Sequence, residues 1–210
     1  MVQGLRIVQG LRQREVSQRV LVARPSSAWQ APLTAKPCAR GYTIKMPVSA
    51  DTLRLQLDYS AWATQRLMDA AAKLSTEELT RDFKTADKTV LDTLAHIFAA
   101  DRIWLSRVLA EPRATFIDPE DRDFTVLQSE WPALQQRWKL WLRDFNDDDA
   151  LRAIDYQDMK GRPYSQPVWQ IILHLVNHGT HHRGQISGFL RAMDRTPPPL
   201  DLIAYYRSLA

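Results

Sequence analysis

One cysteine in 210 residues, Cys38, excludes an intrachain disulfide, so the fold must rest on packing rather than cross-links. No run of 18 apolar residues occurs, which argues against a membrane-spanning helix. Acidic residues are nearly missing from positions 1–45, where eight Lys/Arg face the single acid Glu15, a net charge of +7. The remainder carries 20 basic and 23 acidic residues, a net −3, so the pI of about 9.3 belongs to the tail. A nucleic-acid-binding domain presents a basic face of its own, and no nucleic-acid partner is therefore expected. No membrane partner is expected either. A chain that does not depend on an oxidising compartment suits the cytoplasm.

What is present is an ordinary globular balance, 45% hydrophobic and 25% charged residues. The basic segment contains a tandem duplication, Val2-Gln-Gly-Leu-Arg6 and Val8-Gln-Gly-Leu-Arg12, and then loses any apolar period that could feed a core. We expect residues 1–46 to be a disordered extension. It lacks the continuous apolar core of a secretory signal. Two origins stay open, an Arg-rich organelle leader or sequence upstream of a true start at Met46. The second is preferred, because the first strongly patterned helix begins just beyond, at Ser49 or Asp51.

From there helical periodicity dominates and predicts an all-α four-helix bundle. Leu53, Leu57, Ala61, Thr64, Leu67, Met68, Ala71 and Leu74 recur at spacings of three and four, a first helix over about 51–74. Ser75-Thr-Glu-Glu78 has the form of a capping box. Thr89-Val-Leu-Asp92 starts a second helix that runs to about Leu109, ahead of Pro112. The third helix has two candidate starts, Thr125 and Ser129, and Pro132 fits the first turn of the later one. Its body runs from Leu134 to Phe145. Ile154 and Tyr156, a turn at Asp158–Arg162, and Tyr164 suggest a small β-hairpin between helices three and four. The fourth helix starts near Ser165-Gln-Pro167 and ends about Met193, before Pro197-Pro-Pro199.

Four of the five histidines fall between positions 174 and 182, and the fifth, His96, lies in the second helix. At about 100° per residue, His178 and His182 differ by about 40° and sit one turn apart, so both rings can reach one ion. A lone helical histidine is ordinarily a hydrogen-bonded core residue. His96, however, is flanked by Leu94, Ala95, Ile97 and Phe98, where an unpaired imidazole is costly. A metal site of His96, His178 and His182 follows, with coordination positions left to water or substrate. His174 reads as a core or supporting residue and His181 as solvent-facing or substrate-facing. Position 179 is Gly, where a zincin helix would carry its catalytic Glu, which argues against peptidase chemistry of that kind. Gly184 and Gly188, inside the fourth helix, suggest close approach of a neighbouring helix.

The residues Thr89–His96 followed by Asp101-Arg-Ile-Trp104, then Asn177-His178-Gly-Thr-His-His182-Arg183-Gly184-Gln185, then Pro-Pro-Leu200-Asp201, carry a resemblance. Over residues 47–207 the chain resembles the DinB/YfiT-like superfamily of four-helix-bundle metalloproteins, specifically its DinB branch. The resemblance implies a divalent metal held by His96, His178 and His182. Zn²⁺ is the default by ligand type, with Ni²⁺, Fe²⁺ and Mn²⁺ also compatible. It further implies a small-molecule substrate and a metal-dependent thiol S-transferase or hydrolase, with a low-molecular-weight thiol as partner. Asp58, Tyr59, Asp101 and Arg183 are the candidates for supporting or acid/base roles. The alternative is a non-catalytic, stress-associated bundle that binds metal and forms a homodimer.

Overall fold

Residues 48–112 and 116–210 are described by the computed structural model; the extension expected over residues 1–46 lies outside them. Four long helices are present, α1 Ala50–Ala71, α3 Val90–Val108, α4 Phe124–Leu142 and α6 Val168–Ala192. Short helices α2 Thr76–Thr80, α5 Asp147–Leu151 and α7 Leu202–Arg207 connect or close them. Both α1 and α3 pack against α6 on one side and α4 on the other, so the bundle has the cyclic order α1, α6, α3, α4. No helix among the described residues is long and apolar enough to cross a membrane.

The local signals act where the sequence places them. Ser49 caps α1 by accepting from the Thr52 amide, and Thr89 caps α3 by accepting from Asp92, each such cap contributing about 1 kcal/mol. Ser75 and Glu78 form the reciprocal capping box of α2. The leucine stripe of α1 is buried at Leu53, Leu57 and Leu67, and the core is completed by Leu94, Ile97, Trp131, Trp138 and Ile172. Burying side chains of this size contributes about 1.5–3 kcal/mol apiece. Trp131 and Trp138 also spend their indole N–H groups on one residue of α3, donating to the carboxylate and the carbonyl of Asp101 at 2.9 and 3.2 Å.

Two starts differ from expectation. Asp123, not Ser129, caps α4, accepting from the Thr125 amide, so Pro132 falls inside the helix. Its ring is exposed, and the cost is one missing backbone hydrogen bond on the solvent side. Helix α6 begins at Val168, because Ser165 and Gln166 are taken by the hairpin. That hairpin pairs β1 Ala153–Gln157 with β2 Pro163–Pro167 antiparallel, Tyr156 opposite Tyr164. The end of α6 also precedes the prolines. Asp194 takes a left-handed conformation (φ 57°), and the Arg195 amide returns to the Leu190 carbonyl, which satisfies a terminal acceptor.

Candidate metal centre

The flank of α6 that faces α3 brings three imidazoles together. His96 Nε2 and His178 Nε2 are 3.1 Å apart. The ring of His182 lies 4.4 Å from that of His96 and 4.5 Å from that of His178, centre to centre. One ligand atom from each residue can be chosen so that all lie within 4.8 Å of one another. Nitrogens about 2.0–2.1 Å from a tetrahedral ion stand about 3.3 Å apart. The close pair already meets that spacing.

A hydrogen bond between two imidazoles would explain the 3.1 Å contact alone. It does not explain a third ring against both. Burial, and then the neighbouring rings of His182, His96, His174 and His181, pull the pKa of His178 down to about 3. His96 is lowered by burial and by His182, against the opposing pull of Asp87. These two rings are thus held in the neutral form that a metal requires, and the donor set of nitrogen ligands fits a divalent transition ion.

Behind the rings stands a residue that periodicity could not reveal. Asp87, in the loop before α3, places one carboxylate oxygen 3.3 Å from His182 Nδ1 and the other 3.9 Å from His96 Nδ1. Gln185, one turn beyond His182, lies 3.1 Å from the same Nδ1 and donates to Thr85 Oγ1 at 3.4 Å. The loop is anchored to α6 by Phe83, stacked on Phe189 at 4.3 Å. Lys84 and Lys88, on either side of Asp87, adopt positive φ (59° and 52°), and strain of this sort persists only where surrounding contacts enforce it. A loop residue has no helical period to betray it. The only signal for Asp87 was the carboxylate-to-imidazole pairing that metal-ligating histidines ordinarily require.

The other candidates are placed differently. His174 is exposed, with its ring edge-on to Trp104 at 5.4 Å. His181 is exposed, as expected, and packs edge-on to His182. Asp58 pairs with Lys139 at 2.9 Å, and Tyr59 donates to the Leu200 carbonyl at 2.9 Å. Burial pushes the Asp101 carboxyl up to about 7, against the hydrogen bond from Trp131 and the charge of Arg183. Arg183, 2% exposed, turns toward α1, donating to Ser60 Oγ (3.0 Å) and Thr64 Oγ1 (3.3 Å), and to Thr180 Oγ1 (3.1 Å) on its own helix.

The glycines correct an expectation. A Cβ on Gly184 or Gly188 would meet nothing within 4 Å, so no neighbouring helix approaches them. Gly179 is the crowded one. A Cβ there would lie 2.7 Å from Arg183 Nη1, and the missing side chain is what admits the guanidinium.

Comparison with known proteins gives the family. A model of the DinB family matches residues 46–209. Protein DinB of Bacillus subtilis (strain 168) is 23% identical over 156 residues, covering 70% of this chain and 90% of that protein. The crystal structure of a DinB-like protein from Bacillus cereus ATCC 10987 superposes with a TM-score of 0.55 at 22% identity, over 72% of this chain and 97% of that one. Four packed helices, three converging histidines and a family match spanning the whole bundle lead to one conclusion: the chain belongs to the DinB family.

Proposed function

We propose that His96, His178 and His182 bind one divalent metal ion and that the protein is a metal-dependent enzyme of the thiol S-transferase or hydrolase type. The observation that carries the reading is the convergence of three imidazoles from two helices, two of them held neutral by burial. Three protein ligands with no carboxylate among them leave room for an exogenous one, the pattern of catalytic rather than closed structural sites. An ion held by three neutral ligands keeps its full positive charge and makes a thiol or water that binds it far more acidic.

The residues of this chain supply orientation. Gln185 Oε1 accepts the proton on His182 Nδ1, and the Asp87 carboxylate 3.3 Å from the same nitrogen favours that tautomer electrostatically, which leaves Nε2 with its lone pair free. The second Asp87 oxygen biases His96 the same way over a longer distance. Gln185 also ties the ring to the Thr85 loop. By ligand type Zn²⁺ is the ion of choice, and the substrate is a small molecule attacked by a low-molecular-weight thiol or by water.

Elemental analysis of the purified protein is the test, repeated for His96→Ala, His178→Ala and His182→Ala. We expect close to one equivalent of transition metal in the parent and little in each variant, with helical circular dichroism preserved. Full metal retention in all three variants would sink the reading. Cobalt-loaded protein titrated with a small thiol then separates enzyme types: a sulfur-to-cobalt charge-transfer band supports the transferase, and hydrolase chemistry gives none.

A further inference from the structure

Asp101 lies on α3 where the other three long helices close in. It lines a cavity of about 20 Å³ with Ser60 of α1, Gln135 and Lys139 of α4, and Leu175 of α6, room for about one water molecule. Its Oδ2 accepts from Trp131 Nε1 at 2.9 Å, and among the described residues Oδ1 has no donor. No described cation forms an ion pair with it. Arg183, on α6, acts on it through its charge, but the donors of that guanidinium are spent on Ser60, Thr64 and Thr180. Lys139, in the cavity wall, is paired with Asp58 at 2.9 Å and half exposed. From α1, Tyr59 lies against Arg183 as Asp58 lies against Lys139.

A carboxyl placed in this way holds its proton, because the ionised form would exchange water for a single indole N–H. Its pKa is accordingly pushed up by burial to about 7. The element that feels the outcome is α4. Both indoles bound to Asp101 belong to it, and its backbone ladder misses a donor at Pro132, next to Trp131. Its seat against α1 is also incompletely filled, with a second cavity of about 130 Å³ between Thr64, Met68, Leu127, Trp131 and Gln135.

We propose that Asp101 is a proton-operated latch on α4: protonated, it lets α4 seat against α1 and α3; ionised, it draws the Lys139 ammonium from Asp58 into the cavity and loosens that seat. The sign follows from linkage. The folded value lies above the ordinary 3.8, so stability present below 3.8 is lost as pH rises toward about 7, and the loss levels off above it.

The test compares the full-length protein with Asp101→Asn, whose amide oxygen still accepts from Trp131, so that histidine titration is common to both and cancels. Between about pH 5.5 and about pH 8.5 the unfolding constant of the parent in urea, relative to that of Asp101→Asn, should rise about 30-fold, tenfold for each unit up to the midpoint. Nuclear magnetic resonance supplies a local readout that needs no variant: the Trp131 indole N–H should titrate with a midpoint near 7. Lys139→Met removes the cation that answers the ionised form and should move that midpoint to higher pH. At about pH 8.5 the α4 amides of the parent should exchange faster than those of Asp101→Asn, while the α6 amides of the two agree. An indole resonance that stays still across this range, a pH-independent ratio of unfolding constants, an unmoved midpoint in Lys139→Met, or equal α4 exchange would each overturn the proposal.

Discussion

His182 and Arg183 are neighbours in the chain and serve opposite flanks of α6. The first turns toward α3 and joins two other imidazoles; the second turns toward α1 and is surrounded by hydroxyls. A rotation of about 100° per residue is the whole reason that one helix can carry both. The flanks differ in how they manage charge. On the histidine flank burial favours the neutral imidazole, so the groups can leave their charge to a ligand. Guanidinium has no such option, since it stays protonated across the accessible range. One flank thus suits an incoming cation and the other holds a permanent one.

The largest expected effect breaks the histidine flank alone. His178→Ala removes the ring that the other two share, and metal affinity should fall by more than the about 10–100-fold that loss of an outer partner costs. Thermal unfolding of the metal-free protein should change much less, because the ring is only part-buried and contributes little packing. Isothermal titration with Zn²⁺ reads the first quantity and calorimetry the second. Parallel losses in both would mean that the three rings hold the fold rather than an ion.

Asp87→Ala comes next, at about 10–100-fold in metal affinity, because the three rings survive and only a charge that orients them is lost. Asp87→Asn should recover part of it, since the amide oxygen keeps a partial negative charge beside His182 Nδ1. If Asp87→Ala binds metal as tightly as the parent, Gln185 alone suffices to orient the ring.

The two flanks were unequally legible in the sequence. Spacing placed His178 and His182 on one face, and the apolar setting of His96 marked it as their partner, because side chains on helices inherit the helical period. Asp87 escaped, since its position depends on a loop whose anchor, Phe83 against Phe189, joins residues more than a hundred positions apart. The arginine flank was misread in a more instructive way. Gly184 and Gly188 suggested helix contact, yet the glycine that makes room is Gly179, and what it admits is a side chain of its own helix. A glycine at i can serve the residue at i+4, and composition alone cannot tell that from close packing against a neighbour. Pro132 misled by local rule as well: its exposed position tolerates a lost bond that a buried one would not.

Gly179→Ala sharpens the contrast from the arginine side. Helix propensity alone would favour alanine by about 1 kcal/mol. Opposing it, the new Cβ falls 2.7 Å from Arg183 Nη1, the tip of a side chain pinned by its hydroxyl partners. Displacing it forfeits hydrogen bonds of a charged group, about 1.5–3 kcal/mol. The second effect wins, and we expect a net destabilisation of about 1–2 kcal/mol in urea unfolding at unchanged slope, with metal affinity unaltered.

Gly188→Ala is the matched control and the smallest effect. It lies in the same helix, and its Cβ would meet nothing within 4 Å. Only propensity then acts, so the variant should be more stable by up to about 1 kcal/mol, read as a higher urea midpoint. The opposite signs of two identical substitutions nine residues apart would isolate the Arg183 contact from helix propensity, since propensity is common to both. Should both variants be stabilised, the guanidinium moves aside at little cost, and the crowding at Gly179 would no longer count as evidence of a fixed charge on that flank.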